Sequence, residues 1–285
     1  MRLFGSPDIE ELRRKRDWQT LSHLRKHHNP TIRQQAWHAW EYLSAPAEIR
    51  MCIDQTEDAD PRQRMEAIQR LGKEVLFTLA SQPFLERCLD DPQPEVRRAA
   101  AEAIGALDLL ASKQTLIDHA GDHDEQVREG VIAALGRLAY EYGGDDELFR
   151  LFMRALDDLL SVRRAAVFAL GAFPEEAAME TIELLCRDED EKTRIQAARA
   201  LGQIGAKHPL AQASDSLLNL LEDSSAAVRL EALQAVDNAG SMLEKANLRR
   251  MIDIIQKIQQ KDRSARVRHF AWGVLIQLQA QDQEK

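Results

Sequence analysis

Three groupings of polar side chains have spacings that suggest chemistry. In the first, His119 and His123 stand four apart among Asp118, Asp122 and Asp124, and His23, His27 and His28 cluster far upstream. Imidazole and carboxylate groups at such spacing are the usual ligands of a divalent metal. The His119–Asp124 stretch spans a turn between two expected helices, however, where solvated acids and capping residues belong. No metal site is expected. The second grouping is Cys52, Cys88 and Cys186, far apart and each in an apolar helical context, which reads as reduced thiols packed as small hydrophobes. No Gly-rich phosphate loop, HExxH or nucleophile elbow occurs, so no catalytic residue and no cofactor is expected.

The third grouping is an aspartate followed six residues later by an arginine, repeated along the chain. DPQPEVRRAAAEAIGAL from Asp91, DHDEQVREGVIAALGRL from Asp122, DDLLSVRRAAVFALGAF from Asp157, DEDEKTRIQAARALGQI from Asp188 and DSSAAVRLEALQAVDNA from Asp223 are the clearest copies. Weaker ones start at Asp58, at Asp262 and at His27, where His replaces Asp. The anchors Arg33, Arg64, Arg97, Arg128, Arg163, Arg194, Arg229 and Arg268 are 31 to 39 residues apart, room for two short helices and two turns.

Each anchor opens an amphipathic helix. Around Arg97, residues Val96, Ala100, Ala103, Ile104 and Leu107 share one arc, the buried face. Gly72, Gly105, Gly136, Gly171 and Gly202 lie eight residues after their anchors, where glycine permits either a close contact or a helix stop. Segments starting at Pro83, Lys113, Glu147, Ala177, Ser214 and Leu248 supply the other helix of each hairpin.

This pattern resembles the HEAT-repeat family, in the short bacterial style of the phycobilin lyases, over about residues 10–279. The resemblance implies an all-α, right-handed α-solenoid (superhelix) of about eight helical hairpins. It also implies a ladder between adjacent repeats built from Asp91, Arg97, Asp122, Arg128, Asp157, Arg163, Asp188, Arg194, Asp223 and Arg229. Asp91 would then meet Arg128 or Arg64, which makes these arginines structural. The expected layout is one domain over 1–285. Residues 1–8 are expected to be disordered, 9–45 to form an N-terminal cap repeat opened by one charged helix, and 46–245 to be central repeats. A C-terminal cap repeat at 246–280 and a frayed tail complete it, with loops at Tyr142–Asp145 and Ala206–Pro209.

The family places the second helix of each repeat on the concave side. The positions one and five after the anchors vary strongly while the core rows do not, and variable sites are free to serve a ligand. They give Arg98, Glu102, Glu129, Arg164, Phe168, Ile195, Arg199, Leu230 and Gln234 as the candidate partner-binding residues. Phe168, Ile195 and Leu230 would face solvent inside a rim of Arg98, Arg164 and Arg199, a protein-binding composition. The plainer reading is that they merely cover that helix row. Trp18, Trp37, Trp40 and Tyr42, and Trp272 near the other end, read as capping cores or, alternatively, as a ligand site.

The expected function is a non-catalytic scaffold that binds another protein or peptide in the concave groove, with phycobilin-lyase-like handling of a bilin or its acceptor protein as the alternative. DNA-lesion recognition, known on related solenoids, ranks below both: 47 acidic against 38 basic residues give a net charge of −9, which repels phosphate backbones. No His-Glu dipeptide occurs, against the di-iron hydroxylases of this fold. No stretch approaches the roughly 20 apolar residues of a membrane span and no secretory signal opens the chain, so a cytoplasmic location is expected.

Overall fold

Helix starts are set by the loops that precede them. Asp8, Asp17, Asn29, Asp60, Asp145, Asp190 and Ser225 each accept an amide hydrogen from the first turn that follows, satisfying donors that a helix cannot bond internally. Pro30, Pro61 and Pro94 sit at the helix start, where no partner is lost and φ is preset.

The computed structural model describes residues 7–208, 214–240 and 245–284, and all regular structure in them is helical. The chain divides into two compact units, Met1–Ala134 and Leu135–Lys285. The first contains α1 (Ile9–Arg14), α2 (Trp18–Leu24), α3 (Pro30–Ser44), α4 (Ala47–Gln55), α5 (Pro61–Leu71), α6 (Thr78–Cys88), α7 (Pro94–Ala106), α8 (Lys113–Asp118) and the start of α9 (Glu125–Tyr142). The second continues with the rest of α9, then α10 (Asp146–Ala155), α11 (Leu160–Ala169), α12 (Glu176–Leu185), α13 (Glu191–Lys207), α14 (Ser214–Leu221), α15 (Ala226–Ala239), α16 (Lys245–Lys261) and α17 (Ala265–Glu284). From α2 onward the helices pair into hairpins, the arrangement of an α-solenoid.

The second helices of successive hairpins lie side by side, α5 on α7 in the first unit and α11 on α13, α13 on α15 and α15 on α17 in the second. Their register is visible at single atoms. Gly72 faces Ala103, Gly105 faces Ala134, Gly136 faces Ala169, Gly171 faces Ala200 and Gly202 faces Ala235, and a Cβ added at any of these glycines would come within 2.7 to 3.1 Å of its partner. Each glycine is eight residues past its anchor, and each alanine six past the next one. Close contact is therefore what the glycines serve, although α5 also stops at Gly72 and α11 gives way to a 3-10 turn at Gly171. The position eight after the anchor thus lies on the forward face of the five hairpins that carry these glycines.

Several local expectations are corrected. The first charged segment is two helices, α1 and α2, broken where Arg16 takes φ of 54° and Asp17 caps the next turn. Pro83 lies inside α6, which begins at Thr78. Of the stretch expected to be disordered, 1–6 lies outside the described residues, while Asp8 caps α1. The tail expected to fray is helical through Glu284. Interruptions fall at 143–145, where Gly143 takes φ of 91°, and after Lys207, beyond which Pro209 lies outside the described residues.

Candidate functional site

Seven of the eight anchor arginines, all but Arg163, hold their own loop first. Nη1 of Arg64, Arg97, Arg128, Arg194, Arg229 and Arg268 donates to the carbonyl six residues earlier, at 2.6 to 2.9 Å. Arg33 does the same to His27 at 2.9 Å. The six-residue offset is therefore a guanidinium-to-backbone distance. Any residue supplies a carbonyl, so His27 fits where the later copies have Asp.

The aspartate side chain points the other way. Nε and Nη2 of Arg64 clasp Asp91 at 2.7 and 2.8 Å, and Arg97 clasps Asp122 at 2.8 Å twice. Arg194 holds Asp223 at 2.7 and 3.1 Å, and Arg229 holds Asp262 at 2.6 and 2.9 Å. Arg163 donates to Asp188 through Nη2. Asp91 thus meets Arg64, and not Arg128, of the two partners that the family resemblance allowed. Oδ1 of these aspartates also accepts the amide two residues on, at Gln93, Asp124, Asp190, Ser225 and Ser264. In the four two-pronged pairs the side chains are only 5 to 16 % exposed, so charge-assisted bonds operate with little competing water.

The Arg97 and Arg229 guanidiniums hold Asp122 and Asp262 below the usual carboxylate range. At Asp223 burial opposes this, but the Arg194 and loop-amide hydrogen bonds bring the net shift down.

Asp157 is the exception. It is exposed and takes part in no side-chain hydrogen bond or ion pair among the described residues, while Asp158 accepts the Leu159 amide instead. Two residues on stands Leu159, where the other aspartates are followed by Asp60, Gln93, Asp124, Asp190, Ser225 and Ser264. Asp157 is therefore not a rung of the ladder.

The residues expected to bind a partner are placed as follows. In the first unit Arg98 is exposed and bonds Glu102 and, across to α9, Gln126 at 2.8 and 2.9 Å; Glu102 is exposed and Glu129 half-buried. In the second, Arg164 clasps Asp190 at 2.8 and 2.7 Å, and Arg199 approaches Glu231 at 3.0 Å. Gln234 bonds Asn238 along α15. Phe168, Ile195 and Leu230, expected to face solvent, are half-buried on α11, α13 and α15. The rim arginines are thus also tied to the next repeat or along their own helix.

At the N-terminal end, Trp40 and Tyr42 pack on a core of Leu21, Leu24, Ile32, Ala36, Ala39 and Leu43, as a cap requires. Trp18 meets Trp40 edge-on at 4.8 Å, and the Arg25 guanidinium stacks on Trp37 and Trp40 at 4.0 and 4.1 Å. Beside this core is a cleft of about 490 Å³ between α1, α3 and α6, with Arg13, His38 and Arg87 in its lining. Arg13 and Arg87 both lie over the Phe84 ring. The Tyr42 hydroxyl donates to Asp54 at 2.7 Å, and burial followed by that bond pushes its pKa to about 12. Nothing in the spacing of Arg13 and Phe84 signals their stack, since they lie on α1 and α6.

Trp272 does not form a second cap core: it is 54 % exposed. His119 is engaged by the Thr115 carbonyl and Asp90, at 2.7 and 3.1 Å, and among the described residues no three His, Cys, Asp or Glu side chains are placed to hold a metal ion. No described helix is long and apolar enough to cross a membrane.

The sequence profile of HEAT repeats matches residues 81–160 and 150–237, more than half of the chain. The chain belongs to the HEAT-repeat family. Among solved structures, the complex of CpcE and CpcF of phycocyanin lyase from Nostoc sp. PCC7120 is similar at 19 % identity, over 98 % of this chain and 99 % of that one, with a TM-score of 0.50. YibA of E. coli is 17 % identical over 97 % and 99 %, with a TM-score of 0.49. A designed armadillo repeat protein in complex with the peptide (KR)4 is 20 % identical over 81 % and 100 %, with a TM-score of 0.44. At such identities the likeness is one of fold. The Asp-to-Arg clasps are how this HEAT-repeat chain sets its hairpins in register.

Proposed function

We propose that the chain is a non-catalytic scaffold that binds a protein or peptide along the second helices of its repeats. The observation that carries this is the row on α11, α13 and α15. Phe168, Ile195 and Leu230 remain partly accessible at repeat positions where composition is not dictated by packing. Meanwhile Arg164 and Arg199 are fixed by carboxylates of the following repeat. Half-buried apolar groups on a rigid frame lose little entropy when a partner covers them.

A pull-down comparing the wild type with Phe168→Ala/Leu230→Ala, both checked for helicity by circular dichroism, tests it. Loss of one specific partner at unchanged helicity is expected, and equal retention by both removes the proposal. The alternative, handling of a bilin, would use the N-terminal cleft, where Arg13 and Arg87 flank Phe84. An unchanged visible spectrum on mixing with free bilin removes it.

A further inference from the structure

The inner repeats show what covers the forward face of a hairpin: a carboxylate on anchor arginines such as Arg97 and Arg194, and an alanine against the glycine eight later. Position four is buried in each of the six inner units, as Ile68, Ala101, Ile132, Val167, Ala198 and Leu233. On α17 the same three positions are Arg268, Trp272 and Ile276. Trp272 is 54 % and Ile276 50 % exposed.

The arginine there is set like the others. Arg268 Nη1 bonds the Asp262 and Arg263 carbonyls at 2.6 and 3.3 Å, much as Arg229 Nη1 bonds Asp223 and Ser224 at 2.6 and 3.0 Å. Arg229 then turns Nε and Nη2 onto Asp262. Arg268 has no carboxylate partner among the described residues. Its two-pronged edge is held in place by the loop and left open, beside an exposed indole and an isoleucine.

We infer that the α17 face of Arg268, Trp272 and Ile276 is a docking surface for an amphipathic helical segment of a partner protein that presents an Asp or Glu to Arg268 and apolar side chains to Trp272 and Ile276. Charge selects the carboxylate, and the guanidinium fork, already oriented, loses little freedom on pairing. An indole in the centre of such a patch is a typical binding anchor. A second copy of this chain is a poorer match: its first repeat carries His27 where a carboxylate would be needed. This surface is separate from the α11–α15 row and does not depend on it.

The probe is a fluorescein-labelled peptide of residues 188–207, the segment that presents Asp188 to Arg163 within the chain, titrated against the full chain in fluorescence anisotropy. Saturable binding is expected, weakened about tenfold by Arg268→Gln and about tenfold by Asp188→Asn in the peptide. The two changes together should weaken it no further, because they remove one interaction. Trp272→Ala should weaken binding as well, whereas Phe168→Ala/Leu230→Ala should leave it unchanged. Absence of saturable binding, or binding indifferent to Arg268→Gln, overturns the inference. Sedimentation that shows self-association of the wild type, lost in Arg268→Gln, would also overturn it, because the occupant would then be a second copy.

Discussion

Gly105 lies so close to Ala134 that a methyl group added to it would sit 2.8 Å from the alanine Cα and Cβ. Backbone on one side and a short side chain on the other leave nothing flexible to give way. Gly105→Ala should therefore lower stability by about 1–3 kcal/mol through overpacking, despite the roughly 1 kcal/mol that alanine adds to a helix. Gly130→Ala is the control. Its new Cβ would meet only the Arg98 side chain at 3.4 Å and more distant atoms, so it should raise stability by up to about 1 kcal/mol. Urea midpoints of the two variants check the contrast, and equal shifts would refute close packing as the role of that glycine row.

Asp122→Asn keeps the shape of the loop and an oxygen for the Asp124 amide, but removes the charge and an acceptor facing Arg97. We expect a loss of about 1–3 kcal/mol. Asp157→Asn, at the same repeat position but outside the ladder, should stay within about 0.5 kcal/mol of wild type. Denaturant unfolding of both separates a paired aspartate from a merely recurrent one.

The same pairs set an acid sensitivity. Asp122, Asp223 and Asp262 are held below the usual carboxylate range in the folded chain, so their contribution is complete above the unfolded value of about 4. It is lost as pH falls from about 4 towards the depressed folded values. Thermal melts from pH 7 to pH 3 should show Tm falling through this window. An Asp122→Asn/Asp262→Asn variant should start lower and fall less steeply. Parallel curves would mean that the ladder does not carry the effect.

The thiols should be inert while the chain is folded. Burial pushes Cys88 to about 11 and Cys186 to about 12, and all three cysteines are free and buried. Because the thiolate is the reacting form, Ellman's reagent at pH 8 should react slowly with the native chain and quickly with three thiols in guanidinium. Rapid reaction of the folded chain would contradict that packing.

Much of the architecture was legible in the primary structure because the repeat writes one geometry many times. The anchors and glycines mark the helices, their register and the rungs at Asp91, Asp122, Asp188 and Asp223. What could not be read is how the six-residue offset works. It joins Arg97 to a carbonyl that carries no sequence label, while the Asp91 carboxylate serves the preceding arginine. Asp157 satisfied the pattern but not the loop geometry. The N-terminal cleft escaped for a related reason: besides α1 and α2, α3 packs on α6, a contact distant in sequence. Phe168, Ile195 and Leu230 were expected to face solvent but are half-buried, because exposure depends on neighbours that no single repeat specifies.

In the repeats that carry it, the clasp supplies one acceptor facing backward and one donor facing forward. Excising a complete module, from one turn aspartate to the next, would therefore bring a matching donor and acceptor together at the new seam. Cutting through the middle of a module would strand both. Shortened versions of this chain that respect the seams should fold, and the number of modules is a length that evolution can change in whole steps.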